Sequence, residues 1–281
     1  MPDVLTIGAI GFLNARPLVY GLEREAALRV RLEMPGSLAA LLKAGEVDAA
    51  LLPSVEYFRL TAESGERARS APARFVALPV GAIGSRGAVG SVRLFGYTDR
   101  ARLRRVLLDP ASRTSNALAR IIVVRRFGVS PHFLLPEAAG PSPARAPDAE
   151  LLIGDRGLVA ERPAAEWIAD LGLEWHRFTH LPFVYAFWVA RADGPLDRLA
   201  ALLSAALERG LEAREALAAQ APETNGVQAD AALRYLTEQV RYNFGPKEQE
   251  GLRVFYRMAA EEGLAPDGGR LRFPREPHET P

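Results

Sequence analysis

At 281 residues and 48% hydrophobic content, the chain is long enough for two modest lobes, each with a core of its own. Its net charge of +1, without a long run of either sign, excludes a nucleic-acid track or a basic membrane-binding face; the absence of cysteine excludes disulfides, thiolate nucleophiles and thiolate-held zinc or iron–sulfur centres. The opening Met1–Leu5 has no basic stretch running into an apolar one, and no later segment approaches the ~18 apolar residues of a membrane span, so a cytoplasmic chain with neither membrane nor nucleic-acid partner is expected.

Val4-Leu5-Thr6-Ile7-Gly8 predicts a short buried strand, followed by a turn through Phe12 and a helical stretch from Asn14 to Gly21. Asn14 suits its N-cap, and Pro17 is tolerated in its first turn. Ser37 to Gly45 reads as a capped helix with a glycine stop, and Val47 to Pro53 as a buried strand. Ser54 and Glu56 follow at a strand-to-helix turn, where a first-turn carboxylate favours the helix dipole and also stands as a candidate catalytic acid. Phe75–Pro79 and Ala88–Tyr97 read as further strands, the second long enough to pass from one lobe to another.

A second α/β series begins near Arg104, with a strand Val106–Leu108, a helix Thr114–Phe127 closed by Gly128, and strands Phe133–Leu135 and Leu151–Ile153. The Pro- and Ala-rich stretch Ala138–Pro147 predicts an exposed, mobile loop. Of the four histidines, His176 and His180 have i, i+4 spacing, but a helix there runs into Leu181-Pro182, so no metal site is expected. Phe183–Ala190 predicts a second long strand returning to the first lobe, followed by helices Leu196–Leu207, Ala229–Val240 and Pro246–Glu262 and a frayed tail from Gly268. Two crossings predict an α/β, two-lobed molecule with an interlobe cleft, one lobe formed by residues 1–92 and 190–281 and the other by 93–189.

Candidate functional residues gather where strands end, which is where open α/β sheets bind ligands. Between the Val106–Leu108 strand and its helix lie Ser112, Arg113, Thr114 and Ser115, three hydroxyls and a guanidinium at a helix start whose free N–H groups and dipole favour an anion. A hydroxyl there is also the preferred cap, so the residues alone leave both readings open, and Arg113 suits either an anion or the bracing of a lobe. Gly154 and Asp155 close another strand end, and Asn14 and Glu56 two more. Gly81, Gly84, Gly87 and Gly90 recur every three residues but lead into a strand rather than a helix, which argues against a dinucleotide loop and leaves Ser91 on a cleft wall or in a structural role. No Ser/His/Asp order and no close carboxylate pair emerges; a two-lobed binder of a small organic anion is the reading from residues alone.

Taken in order, these segments resemble the chorismate dehydratase family of menaquinone biosynthesis by the futalosine route. The motifs are Gly8 to Leu18, Gly87 to Val92, Ser112-Arg113-Thr114-Ser115, Leu152-Ile153-Gly154-Asp155, Leu181-Pro182-Phe183-Val184 and the late stretches Glu223 to Gly226, Gly251-Leu252 and Phe255-Tyr256. The resemblance implies a type 2 periplasmic-binding-protein-like fold used by a hydro-lyase that takes water from chorismate to give 3-[(1-carboxyvinyl)oxy]benzoate without metal or organic cofactor. It places Asn14 and Ser91 at the reaction centre, and makes the Ser112–Ser115 cup, with Ser54, Glu56, Gly154 and Asp155, the substrate-binding set. No histidine or lysine lies in the matched motifs, so the substrate's own enolpyruvyl carboxylate is the expected proton acceptor. One departure is His180, where members usually carry Gly; it stands either to reach the cleft as an acid or to cover the hinge. Two rivals share the fold. A solute-binding protein normally brings a signal peptide or lipidated cysteine, and the sister enzyme 1,4-dihydroxy-6-naphthoate synthase typically reads Ser-Pro-Cys-Pro-Asn in the first turn, where this chain has Gly11 to Pro17.

Overall fold

The computed structural model of the protein describes residues 4–62, 73–136 and 146–274. The first series runs β1 (Leu5–Ala9), β2 (Leu28–Leu32), α1 (Leu38–Ala44), β3 (Ala49–Pro53), α2 (Ser54–Thr61) and β4 (Phe75–Ser85). The second runs β5 (Val92–Gly96), β6 (Arg105–Leu107), α3 (Arg113–Ile121), β7 (His132–Leu134), β8 (Ala149–Ile153), α4 (Gly154–Val159), β9 (Trp167–Asp170) and α5 (Leu171–Thr179). Strand β10 (Phe183–Arg191) and helices α6 (Leu196–Glu212), α7 (Arg214–Asn225), α8 (Ala229–Arg234) and α9 (Pro246–Glu261) complete the chain.

The strands form two five-stranded sheets, in the orders β2-β1-β3-β10-β4 and β7-β6-β8-β5-β9. Each sheet mixes a parallel α/β portion with antiparallel strands, the expected α/β class. Strands β3 and β10 are central and covered on both faces. Their unbroken apolar runs, Ala49–Pro53 and Phe183–Ala190, therefore follow from double-sided burial rather than from alternation. The antiparallel β4–β10 pair joins the sheet edge to its centre, and the large buried rings Trp188, Phe187, Phe183 and Tyr57 pack around it.

The crossing from one sheet to the other is shorter than the sequence predicts. Strand β4 extends to Ser85 and β5 begins only at Val92, so residues 86–91 make the passage as irregular backbone. Gly87 and Gly90 take positive φ there (115° and 74°), which only glycine adopts without strain. The Asp170 carboxylate accepts from the N–H groups of Val89 and Gly90 and also caps α5 through Leu173 N. The return crossing precedes Phe183: β10 pairs with β3 and β4 along its length, so the expected division at 189/190 falls inside a strand of the first sheet.

Several local expectations change for physical reasons. Pro17 has no N–H to donate, and the segment winds as a 3-10 turn over Leu13–Val19 with Phe12 at its N-cap, so Asn14 is not a cap. Ser37 donates to the Met34 carbonyl rather than capping α1, whereas Gly45 does stop it, in the left-handed conformation. The helix through Ile121 continues as a π-turn, Ile122–Arg126, before Gly128. Up to residue 274 the tail is docked rather than frayed: Ala77 N donates to Arg272 O, the Tyr57 hydroxyl bonds Arg270 O and Arg272 N, and Leu271 and Phe273 pack on the core. Residues 138–145 of the expected loop lie outside the described residues. His180 is exposed and adopts φ 59° as the C-cap of α5, a left-handed position that glycine fills most easily. It terminates a helix and does not line the cleft. Among the described residues, no helix is long and apolar enough to cross a membrane.

Candidate active site

Between the two sheets lies a cleft that opens to solvent. Its walls are mostly apolar, from Ile10, Phe12, Ile83 and Val89 to Val92 and Ile153, and among the described residues none that lines it carries a charge. Polarity enters through Asn14, Ser91, Ser112, Ser115 and Tyr185 and the backbone at Gly154. Thus five of the ten residues singled out from the sequence meet here: Asn14, Ser91, Ser112, Ser115 and Gly154.

Asn14 rides on the 3-10 turn, fixed by its own carbonyl accepting from the Tyr242 hydroxyl at 3.1 Å. Its Nδ2 donates to the Tyr235 hydroxyl at 2.9 Å, and that hydroxyl donates to Ser91 Oγ at 2.8 Å. Asn14 Oδ1 is buried without a hydrogen-bond partner, the kind of orphan that structures rarely keep without a reason. Tyr235 is fully buried at the start of a π-helical turn, Tyr235–Gln239, that prolongs α8. Burial pushes its phenol far above the ordinary value, ahead of the opposing hydrogen bonds with Ser91 and Asn14, so it stays protonated at any ordinary pH.

Across the cleft Ser112 is the N-cap of α3, its Oγ accepting from Ser115 N at 3.1 Å and donating to Ser115 Oγ at 3.0 Å. Cap and cleft lining thus coincide, since the first-turn N–H groups at 113 and 114 find no acceptor inside the helix. Asp109, immediately upstream, is completely buried and anchors the junction through Ala111 N, Ile153 N and the Arg156 guanidinium.

The remaining five candidates do not line the cleft; four of them bridge its two sides. Arg113 reaches both oxygens of Glu56 on α2 at 3.1 and 3.2 Å, and Thr114 Oγ1 accepts from Val55 N. Asp155 accepts from Leu13 N at 3.1 Å and from Asn225 Nδ2 at 2.7 Å, tying α4 to the turn that carries Asn14 and to the end of α7. Burial raises the Asp155 carboxyl above its ordinary range, outweighing those two bonds and the nearby Arg16 charge. Ser54 is sealed in the core, donating to Val184 O at 2.6 Å. Sequence reasoning missed Tyr235 and Phe12: Tyr235 reads as one more apolar-face aromatic of a helix, and nothing in its spacing signals the π-turn that aims it.

The family described as menaquinone biosynthesis matches residues 5–261. Chorismate dehydratase from Thermus thermophilus is 30% identical over 266 residues, covering 89% of this chain and 93% of that protein. Among solved structures, a protein from Archaeoglobus fulgidus aligns with a TM-score of 0.68 at 16% identity, over 92% of this chain and 98% of its own. The periplasmic aliphatic sulphonate-binding protein of Escherichia coli aligns with a TM-score of 0.61 at 18% identity, over 100% of this chain and 99% of that one. These two likenesses establish the two-lobed periplasmic-binding-protein fold. The matched span runs from β1 to the end of α9 and contains the whole cleft, and the chain belongs to the menaquinone biosynthesis family.

Proposed function

We propose that this chain is a chorismate dehydratase, a hydro-lyase that removes water from chorismate to give 3-[(1-carboxyvinyl)oxy]benzoate. The observation that carries the reading is the meeting of Asn14 and Ser91 on one buried hydroxyl at the wall of an uncharged cleft, in a chain 30% identical to a chorismate dehydratase over most of both lengths. The reaction takes a proton from one ring carbon and hydroxide from its neighbour and leaves an aromatic ring, so the site's task is orientation and polarisation rather than driving an uphill step. Orientation of this kind is worth up to roughly 7–11 kcal/mol.

Among the described residues, the lining contains no histidine, lysine or carboxylate. The proton therefore goes to the substrate's own enolpyruvyl carboxylate, whose basicity rises when apolar walls replace water. Ser91 and Asn14 bond the reacting groups. The ring carboxylate rests at the α3 start, held by neutral donors, Ser112, Ser115 and first-turn N–H groups, with Gly154 allowing close approach of backbone. Glu56, Arg113, Thr114 and Asp155 keep the two lobes around the substrate without touching it, and Ser54 supports α2 from behind. In this account the first lobe comprises β1–β4, β10 and the C-terminal helices, and the second β5–β9. Asn14→Ala and Ser91→Ala lower turnover at least about 10²-fold while the melting temperature moves by only a few degrees. Unchanged turnover in both variants rules the assignment out.

A further inference from the structure

Resting on that reading of Asn14 and Ser91, we propose that Tyr235 is a positioning residue that fixes the hydrogen-bond polarity of the pair. A phenol has one proton to give. Tyr235 gives it to Ser91 Oγ at 2.8 Å and fills its acceptor side with Asn14 Nδ2–H at 2.9 Å. Ser91 then cannot point its own proton back at Tyr235, and with a residue exposure of 1% its remaining direction is the cleft it lines. Asn14, its Nδ2 held by the phenol, presents Oδ1, the buried atom without a partner. The cleft wall therefore offers one donor, the Ser91 hydroxyl, beside one acceptor, Asn14 Oδ1. That pair matches a leaving hydroxyl group: its oxygen needs a donor as the C–O bond breaks, and its hydrogen needs an acceptor that sets its direction. Without the phenol, both the amide and the serine hydroxyl are free to rotate into the reverse polarity.

The placement of Tyr235 fits this task. It opens the π-turn Tyr235–Gln239, one of two such turns among the described residues and the one that touches the Asn14–Ser91 pair; π-turns occur frequently at functional sites. The same turn props the crossing segment: a Cβ on Gly90 would lie 2.5 Å from Gln239 Oε1, so Gln239 presses directly on the residue before Ser91. One irregular turn thus holds Ser91 by its hydroxyl and by its backbone. Deep burial keeps the phenol protonated, so its donor role does not change across the physiological pH range.

The test is Tyr235→Phe, which keeps the ring and removes the hydroxyl, combined with Ser91→Ala in a double-mutant cycle of chorismate turnover. Tyr235→Phe is expected to lower kcat by roughly 10- to 100-fold with KM changed less than about threefold, and to add little once Ser91 is already Ala. Equal fold-losses in both backgrounds, or a loss that follows only the folded fraction, overturns the proposal by making Tyr235 a structural residue. Full activity of Ser91→Ala alone instead refutes the reading beneath it, and the proposal falls with it. Should Tyr235→Phe not fold, 3-fluorotyrosine at 235 keeps packing and hydroxyl but makes a stronger donor and weaker acceptor. A changed kcat at unchanged melting temperature then supports the proposal, and an unchanged kcat rejects it.

Discussion

Gly210→Ala tests whether the turn carrying Asn14 is held in place by packing far from the cleft. Gly210 lies in α6 against the Leu13–Val19 turn, and a Cβ there would stand 2.0 Å from Pro17 O and 2.6 Å from Pro17 C and Cα. The obstructing atoms are backbone, with no flexible end to swing away. Ordinary contact begins near 3.4 Å, so either α6 or the turn must shift by more than about 1 Å. Alanine improves helix propensity by about 1 kcal/mol, and overpacking costs about 1–3 kcal/mol, the upper end applying where backbone must move. The expected net loss is about 1–2 kcal/mol, a fall of roughly 2–4 °C in melting temperature for a chain of this size. Turnover suffers more than stability, because a displacement of about 1 Å at a catalytic group costs up to roughly 10²-fold. Thermal unfolding and chorismate turnover of the purified variant measure both. Unaltered melting together with unaltered turnover would refute the reasoning, since it would mean that α6 does not fix the position of Asn14.

His180→Gly removes a side chain from a left-handed C-cap at φ 59°, so stability should rise by about 0.5–1 kcal/mol with activity unchanged between roughly pH 6 and 8. A pH-dependent loss of activity would return His180 to the chemistry. Asp155 provides a pH prediction. Its raised carboxyl means that the folded chain holds the proton more tightly than the unfolded one, so this group's contribution is complete below its ordinary 3.8 and is lost as pH climbs from there through the raised value. The stability difference between Asp155→Asn and the parent should therefore shift in the variant's favour across that window and then level off. A difference constant with pH, measured by denaturant unfolding, contradicts the assignment of burial as the dominant effect.

Much of the architecture is legible because it follows from burial. The apolar runs at Ala49–Pro53 and Phe183–Ala190 read as buried strands and pair at the centre of one sheet, and the second sheet is announced by the separate α/β series that begins near Arg104. What escapes is decided by tertiary contact. Helix α7 contains Pro222 and has little amphipathic character, so it does not announce itself, and β9 with α5 is too short and too mixed to stand out. At the site, the position of Ser112, Ser115 and Gly154 on the cleft wall follows from strand ends, because backbone topology puts them there. Side-chain direction is not encoded at that level: Arg113 turns to Glu56, and Asp155 to Leu13 and Asn225, because partners from distant segments are waiting for them. Tyr235 is the clearest case, since its role depends on a π-turn and on two groups more than a hundred residues away.

The most direct measurement is to incubate the purified protein with chorismate and follow the mass of the products. The account predicts a product lighter than chorismate by one water, formed catalytically by the parent and largely lost in Asn14→Ala and Ser91→Ala. Binding of chorismate without turnover, or turnover only of an intermediate from later in menaquinone biosynthesis, would contradict it.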